Sequence, residues 1–134
     1  GAPGAAPGAP PRVAFVVTAG GSMASNASDL REAKEALAGA SEHVLFAEGE
    51  SPFVDHAILA SMSGIVISSG SFGWWAAWLS QAGAAEGLVV APRHLYRAGS
   101  VLADGFRPQD YYPPNWQLLG NDGRPAPAAG AAGA

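Results

Sequence analysis

Apolar and polar positions along this chain come in blocks that change period from one block to the next. Val13-Ala14-Phe15-Val16-Val17 is continuously apolar, the pattern of a strand buried on both faces. The Gly/Ser/Asn stretch over 18–28 predicts a loop. Asp29 then opens a helix. Glu32 stands three residues on as in a capping box, Leu30, Ala33 and Leu37 share one face, and Gly39 supplies the stop. Residues 43–47 make a second short strand. Ser51-Pro52, a cap followed by proline at the first helical position, starts a helix to about Met62 that should bury Phe53, Ala57, Ile58 and Met62.

Ile65-Val66-Ile67 predicts a third strand, and Ser71 the cap of a helix over about 72–82. Trp74, Trp75, Trp78 and Leu79 ring that helix, which predicts a buried one. Leu88-Val89-Val90 is a fourth strand, ended by Pro92. Strands and helices in alternation with short connections imply crossover units, hence an α/β fold with a Rossmann-like parallel sheet and flanking helices.

Composition bounds the picture. At 134 residues there is room for one domain, expected over 12–122. The Gly/Ala/Pro-rich ends, 1–11 and 123–134, bury too little apolar surface to offset chain entropy and are expected to be disordered. A net charge of −4 without any basic cluster argues against a nucleic-acid partner. Cysteine is absent, which removes disulfides and thiolate metal sites. The apolar region 64–91 is interrupted by Ser68, Ser69, Ser71, Ser80, Gln81 and Glu86, so it does not read as a membrane span. A start at Gly1 instead of Met suggests a segment of a longer protein.

Ligands of open parallel sheets bind beyond the carboxyl ends of the strands. That selects the loops 18–28, 48–51 and 68–73. The last, Ile67-Ser68-Ser69-Gly70-Ser71-Phe72-Gly73, combines hydroxyls with a helix start and reads either as an anion site or as a plain N-cap. Gly70 allows a tight turn, and Gly73 the close approach of a ligand. The same turn is one residue from a G-x-S-x-G nucleophile elbow with Ser71 as nucleophile. The acids Asp104, Asp110 and Asp122 follow it, but His94 precedes them all, so the order of a serine hydrolase fails. Asp55 and His56 occupy the first turn of the second helix. A carboxylate there either gains from the helix dipole or accepts two hydrogen bonds from a donor edge such as the N1/N2 side of guanine. His43, His56 and His94 lack metal-ligand spacing. Asn26-Ala27-Ser28 is an N-glycosylation triplet in what should be an exposed loop. A non-catalytic α/β binding module would account for the fold alone.

The stretch Ser69-Gly70-Ser71-Phe72-Gly73-Trp74-Trp75-Ala76-Ala77-Trp78-Leu79 resembles the GTFGWWAAYL signature of the galactoside α-1,2-fucosyltransferases. Three further stretches are similar in order and spacing to that family. They are Phe15-Val16-Val17-Thr18, Asp55-His56-Ala57-Ile58-Leu59-Ala60-Ser61-Met62, and Asp110-Tyr111-Tyr112-Pro113-Pro114-Asn115-Trp116. The resemblance implies the second lobe of a GT-B-type enzyme, a glycosyltransferase that moves L-fucose from GDP-fucose to the 2-hydroxyl of a galactose-terminated glycan. It further implies an inverting reaction without metal or other cofactor, and residence on the lumenal side of the Golgi membrane through an anchor outside this segment. Carried onto this chain, Asp55 would recognise guanine. Ser69, Gly70 and Ser71, with the N–H groups of Phe72 and Gly73, would hold the diphosphate. Trp74, Trp75 and Trp78 would be packing, and Tyr111, Tyr112 and Trp116 would cover the lobe. No catalytic residue falls in the segment. The family's H-x-R-R-x-D string, whose arginine neutralises departing GDP, does not occur in it, and Thr18-Ala19-Gly20-Gly21-Ser22 lacks the acidic pair frequent in that loop. The segment alone should bind GDP weakly and turn over nothing.

Overall fold

The computed structural model describes residues 13–19, 23–40, 43–48, 51–83 and 87–125. The expected disordered end 1–11 and most of 123–134 lie outside the described residues. Residues 123–125 do not: Gly120 N–H donates to Arg124 O at 2.9 Å, and Leu119 bridges Pro125 antiparallel. The turn at 120–124 closes on its own backbone bonds. The described residues fall into two compact units that divide between Glu50 and Ser51.

In the first unit β1 (Phe15–Val17) pairs parallel with β2 (Val44–Phe46), Val16 opposite Leu45, and α1 (Met23–Ala36) is the crossover. This helix begins six residues before Asp29, so the capping box is interior to it and the expected loop 18–28 is largely helical. Met, Ala and Lys are good helix formers, and over 14 residues they outweigh the Ser and Asn that read as loop. Asn26 therefore stands on a helix, not in an exposed loop. Lys34 in the last turn pairs with Glu48 and lies 5.6 Å over the Phe46 ring. Phe15 is half exposed, so β1 is not buried on both faces.

In the second unit β3 (Gly64–Val66), β4 (Leu88–Pro92) and β5 (Gln117–Leu119) form a parallel sheet in the order β3-β4-β5. Ile65 faces Val89, and Ala91 faces Leu118. The fold is α/β with parallel strands, in two small sheets where one was expected, and with a fifth strand that three residues of ordinary composition did not announce. Before β3 runs α2 (Pro52–Ala60), and between β3 and β4 runs α3 (Ser71–Leu79), followed by a 3₁₀ turn over Gln81–Gly83. Two short helices, α4 (Val101–Gly105) and α5 (Pro108–Tyr111), lead to β5.

The core of this unit lies on one face of the sheet: Ile65, Ile67, Val89 and Ala91 against Ala77, Ala82, Tyr112 and Trp116. Val66, pointing the other way, is 74% exposed. Of the four α2 positions expected to be buried only Ile58 and Met62 lie inward, and α3 is not buried all round. On α2 the inward stripe is Asp55, Ile58, Leu59 and Met62, spaced i, i+3, i+4, i+7, while Phe53 is 87% exposed and Ala57 is exposed too. The pattern missed it because the stripe contains a carboxylate. On α3 the inward stripe is Gly73, Ala76, Ala77 and Ser80, and Trp75, Trp78 and Leu79 are more than half exposed. Small residues win that face because the helix sits close to the sheet. A Cβ on Gly73 would meet Ile67 Cβ and Cγ2 at 3.3 Å. Of the three tryptophans only Trp74 packs against the core. Its ring stacks on Trp78 at 5.3 Å and tilts against Trp116 at 5.6 Å, and its Nε1 donates to Tyr111 O at 3.1 Å. Each such ring pair is worth about 0.5–1.5 kcal/mol beyond its buried area.

Candidate functional site

The carboxyl ends of β3 and β4 define one edge of the second unit's sheet, and α3 begins at that edge. Gly70 is the N-cap, at φ 128° and ψ 156°, a conformation open essentially to glycine alone. Ser71 is accordingly the first helical residue. Its hydroxyl makes no cap bond, against the expectation that Ser71 would be the cap. A serine inside the helix cannot reach the second or third N–H of its own first turn. The N–H groups of Ser71, Phe72 and Gly73 have no acceptor within the helix, and the dipole's positive end lies there. Ser68, Ser69, Gly70, Ser71 and Phe72 are all exposed. Gly73 is only partly so, and it lies close against the strand, since a Cβ there would meet Ile67 at 3.3 Å.

Helix α2 starts as the sequence suggests. Ser51 is the N-cap and accepts from Val54 N–H at 3.4 Å, and Pro52 follows it. Asp55, one turn in, is only 7% exposed, and its Oδ1 is buried without a hydrogen-bond partner among the described residues. A buried acceptor left unmade costs about 1–3 kcal/mol. The dipole at the helix start offsets about 0.3–1 kcal/mol of that.

One aromatic contact brings the two helix starts together. The His56 and Phe72 rings meet edge to face, 5.2 Å between centroids and 84° between planes. His56 follows Asp55 and Phe72 follows Ser71, so the buried acceptor and the open N–H cluster share one rim. Sequence reasoning singled out Asp55, Ser69, Gly70, Ser71, Phe72 and Gly73, and the structure gathers their two segments. It missed the role of His56, for which the only signal was its place beside Asp55 in a first turn.

The hydrolase arrangement is not assembled. A nucleophile elbow strains its serine, but no described residue other than glycine has positive φ. Ser71 has no hydrogen bond to any histidine, and His94 is exposed on the loop after β4. Asp104, Asp110 and Asp122 are exposed as well. Residues 20–22 of the first loop lie outside the described residues. Among the described residues no cluster of three His, Asp or Glu side chains could hold a metal ion, and no helix is long and apolar enough to cross a membrane.

A rim that offers a buried carboxylate oxygen and a set of free N–H groups suits a ligand with a donor edge at one end and an anionic group at the other. Against known families, the glycosyl transferase family 11 model matches residues 14–119. The chain belongs to glycosyl transferase family 11. Members of this family are fucosyltransferases, which use a nucleotide-sugar donor and a glycan acceptor. No curated protein and no solved structure gives a significant match. The family 11 match runs from β1 to the end of β5 and includes both segments of the rim.

Proposed function

We propose that this family 11 chain is the donor-binding lobe of a galactoside 2-α-L-fucosyltransferase of GT-B type and that the rim between α2 and α3 binds the GDP of GDP-fucose. The observation that carries the reading is the orphaned, buried Oδ1 of Asp55 beside the unoccupied donors of α3. Asp55 accepts from the N1/N2 edge of guanine, and Ser69, Gly70, Ser71 and the N–H groups of Phe72 and Gly73 hold the diphosphate. The lobe corresponds to 12–122. Further neutralisation of the departing GDP and capture of the galactose 2-hydroxyl are assigned to the rest of the enzyme, and no metal is assigned to these residues. Membership of the family supports a Golgi-lumenal setting.

Base discrimination tests the assignment. Titrated by NMR chemical shifts, the chain should prefer GDP to ADP, whose base presents no N1/N2 donor pair, by tenfold or more. Asp55→Ala should abolish the preference while leaving residual diphosphate binding. Equal affinity for the two nucleotides in the unmodified chain would remove Asp55 from base recognition.

A further inference from the structure

The same sheet edge carries a cation that the reading above does not use. Beyond Pro92 the β4–β5 ladder continues for one residue, Arg93 N–H donating to Leu119 O at 2.8 Å, so the backbone is still in strand register at Arg93. Strand side chains alternate, and Val89 and Ala91 point to the buried face, each 1% exposed. Arg93 therefore emerges on that face too, one step past Ala91. Across the sheet, Ile65 is level with Val89 and the parallel register continues with Ile67 N–H on Val90 O at 2.9 Å. Ile67 is the residue on which the first turn of α3 rests. The strand end bearing Arg93 and the N-terminus of α3 thus share one face and one edge.

Arg93 is half-buried and has no carboxylate partner among the described residues. The other arginines of this unit differ. Arg97 and Arg107 are exposed, and Arg124 is exposed with Asp122 3.9 Å away. A half-buried arginine on this edge has its stem held by the fold while its guanidinium has no anion supplied by the described residues. The rim then holds two groups in want of opposite partners. The buried Oδ1 of Asp55 lacks a donor, and Arg93 lacks an anion.

We infer that Arg93 pairs with the diphosphate of the donor nucleotide at the N-terminus of α3. It gives this lobe a positive charge of its own, additional to any arginine supplied from elsewhere in the enzyme. The inference rests on the GDP-binding reading of the rim. A guanidinium suits the role because its fork meets two phosphate oxygens at once.

The test titrates the chain with GDP and with guanosine at fixed ionic strength, following NMR chemical shifts, for the unmodified protein, Arg93→Gln, Arg93→Lys and the exposed control Arg97→Gln. Arg93→Gln should weaken GDP binding tenfold or more and leave guanosine binding unchanged, Arg93→Lys should retain most of the affinity, and Arg97→Gln should match the parent. GDP binding by Arg93→Gln as tight as the parent's overturns the inference and leaves the binding reading standing. Equal losses for GDP and guanosine also overturn it, since they mark Arg93 as structural. A folded parent chain that binds neither ligand sinks the binding reading and the inference with it.

Discussion

Asp55→Ala should leave the ligand-free chain as stable as before or more so, although it removes one of the most buried polar side chains in the second unit. In the folded protein Oδ1 is sealed from water with no hydrogen-bond partner among the described residues, a loss of about 1–3 kcal/mol relative to the unfolded chain. Working against the substitution is the favourable first-turn carboxylate–dipole interaction, about 0.3–1 kcal/mol. The balance is a gain of about 1 kcal/mol. For a unit of this size that is a rise in Tm of roughly 4–8 °C. Urea denaturation is the assay: the midpoint should move up with the slope unchanged, which separates a change in stability from a change in the unfolded ensemble. The ligand arm should run the other way. GDP at one hundred times its Kd stabilises the parent by about 2.7 kcal/mol through mass action, and the variant should show little of this at the same concentration. A variant destabilised by 1 kcal/mol or more without ligand would refute the reasoning, because Asp55 would then be held by partners that the unfolded chain lacks.

Two glycines on the same turn separate strain from packing. Gly70→Ala should cost about 1–3 kcal/mol by urea midpoint through backbone conformation alone, since nothing lies within 4 Å of the new Cβ. Gly73→Ala should cost about 1 kcal/mol, the overpacking against buried Ile67 exceeding the gain in helix propensity. Tyr112, whose hydroxyl donates to Pro92 O at 2.9 Å, is pushed by burial, and further by Tyr111, from 10.0 up to about 12. Its neutral form is favoured in the folded state, so this stabilisation is full below pH 10 and is lost as the pH rises from there through about 12. Urea midpoints measured at pH 9 and pH 11.5 should show that fall. Tyr112→Phe should lower the midpoint at neutral pH by about 1 kcal/mol and flatten the alkaline decline.

Most of the alternation of elements was legible because short apolar runs flanked by Gly, Ser and Pro mark strand ends whatever the tertiary setting. Strand β5 was not, since Gln117-Leu118-Leu119 is a strand only by virtue of its ladder to β4. Facing was the harder property to read. Hydrophobicity points α3 inward through its tryptophans, yet close contact with the sheet selects the residues with least side chain, Gly73, Ala76 and Ala77. On α2 the inward position of Asp55 runs against every burial preference, so no apolar pattern could announce it. Of the site, the two segments could be named from the sequence, Asp55 and the turn 69–73. Their meeting through His56 and Phe72 could not, because no periodic signal links a histidine on one helix to a phenylalanine on the next.

The unsatisfied groups on this rim make one physical argument. A folded chain selected for stability alone would pair the Asp55 carboxylate with a neighbouring cation, and this unit owns an unpaired cation, Arg93, on the same sheet edge. Yet the two are not joined in an ion pair. Under the proposed GDP binding, Asp55 meets the base while the α3 N–H groups and Arg93 meet the diphosphate. Specificity follows from the same arrangement, since a nucleotide lacking a donor edge would leave Asp55 buried and unmade at a cost of about 1–3 kcal/mol.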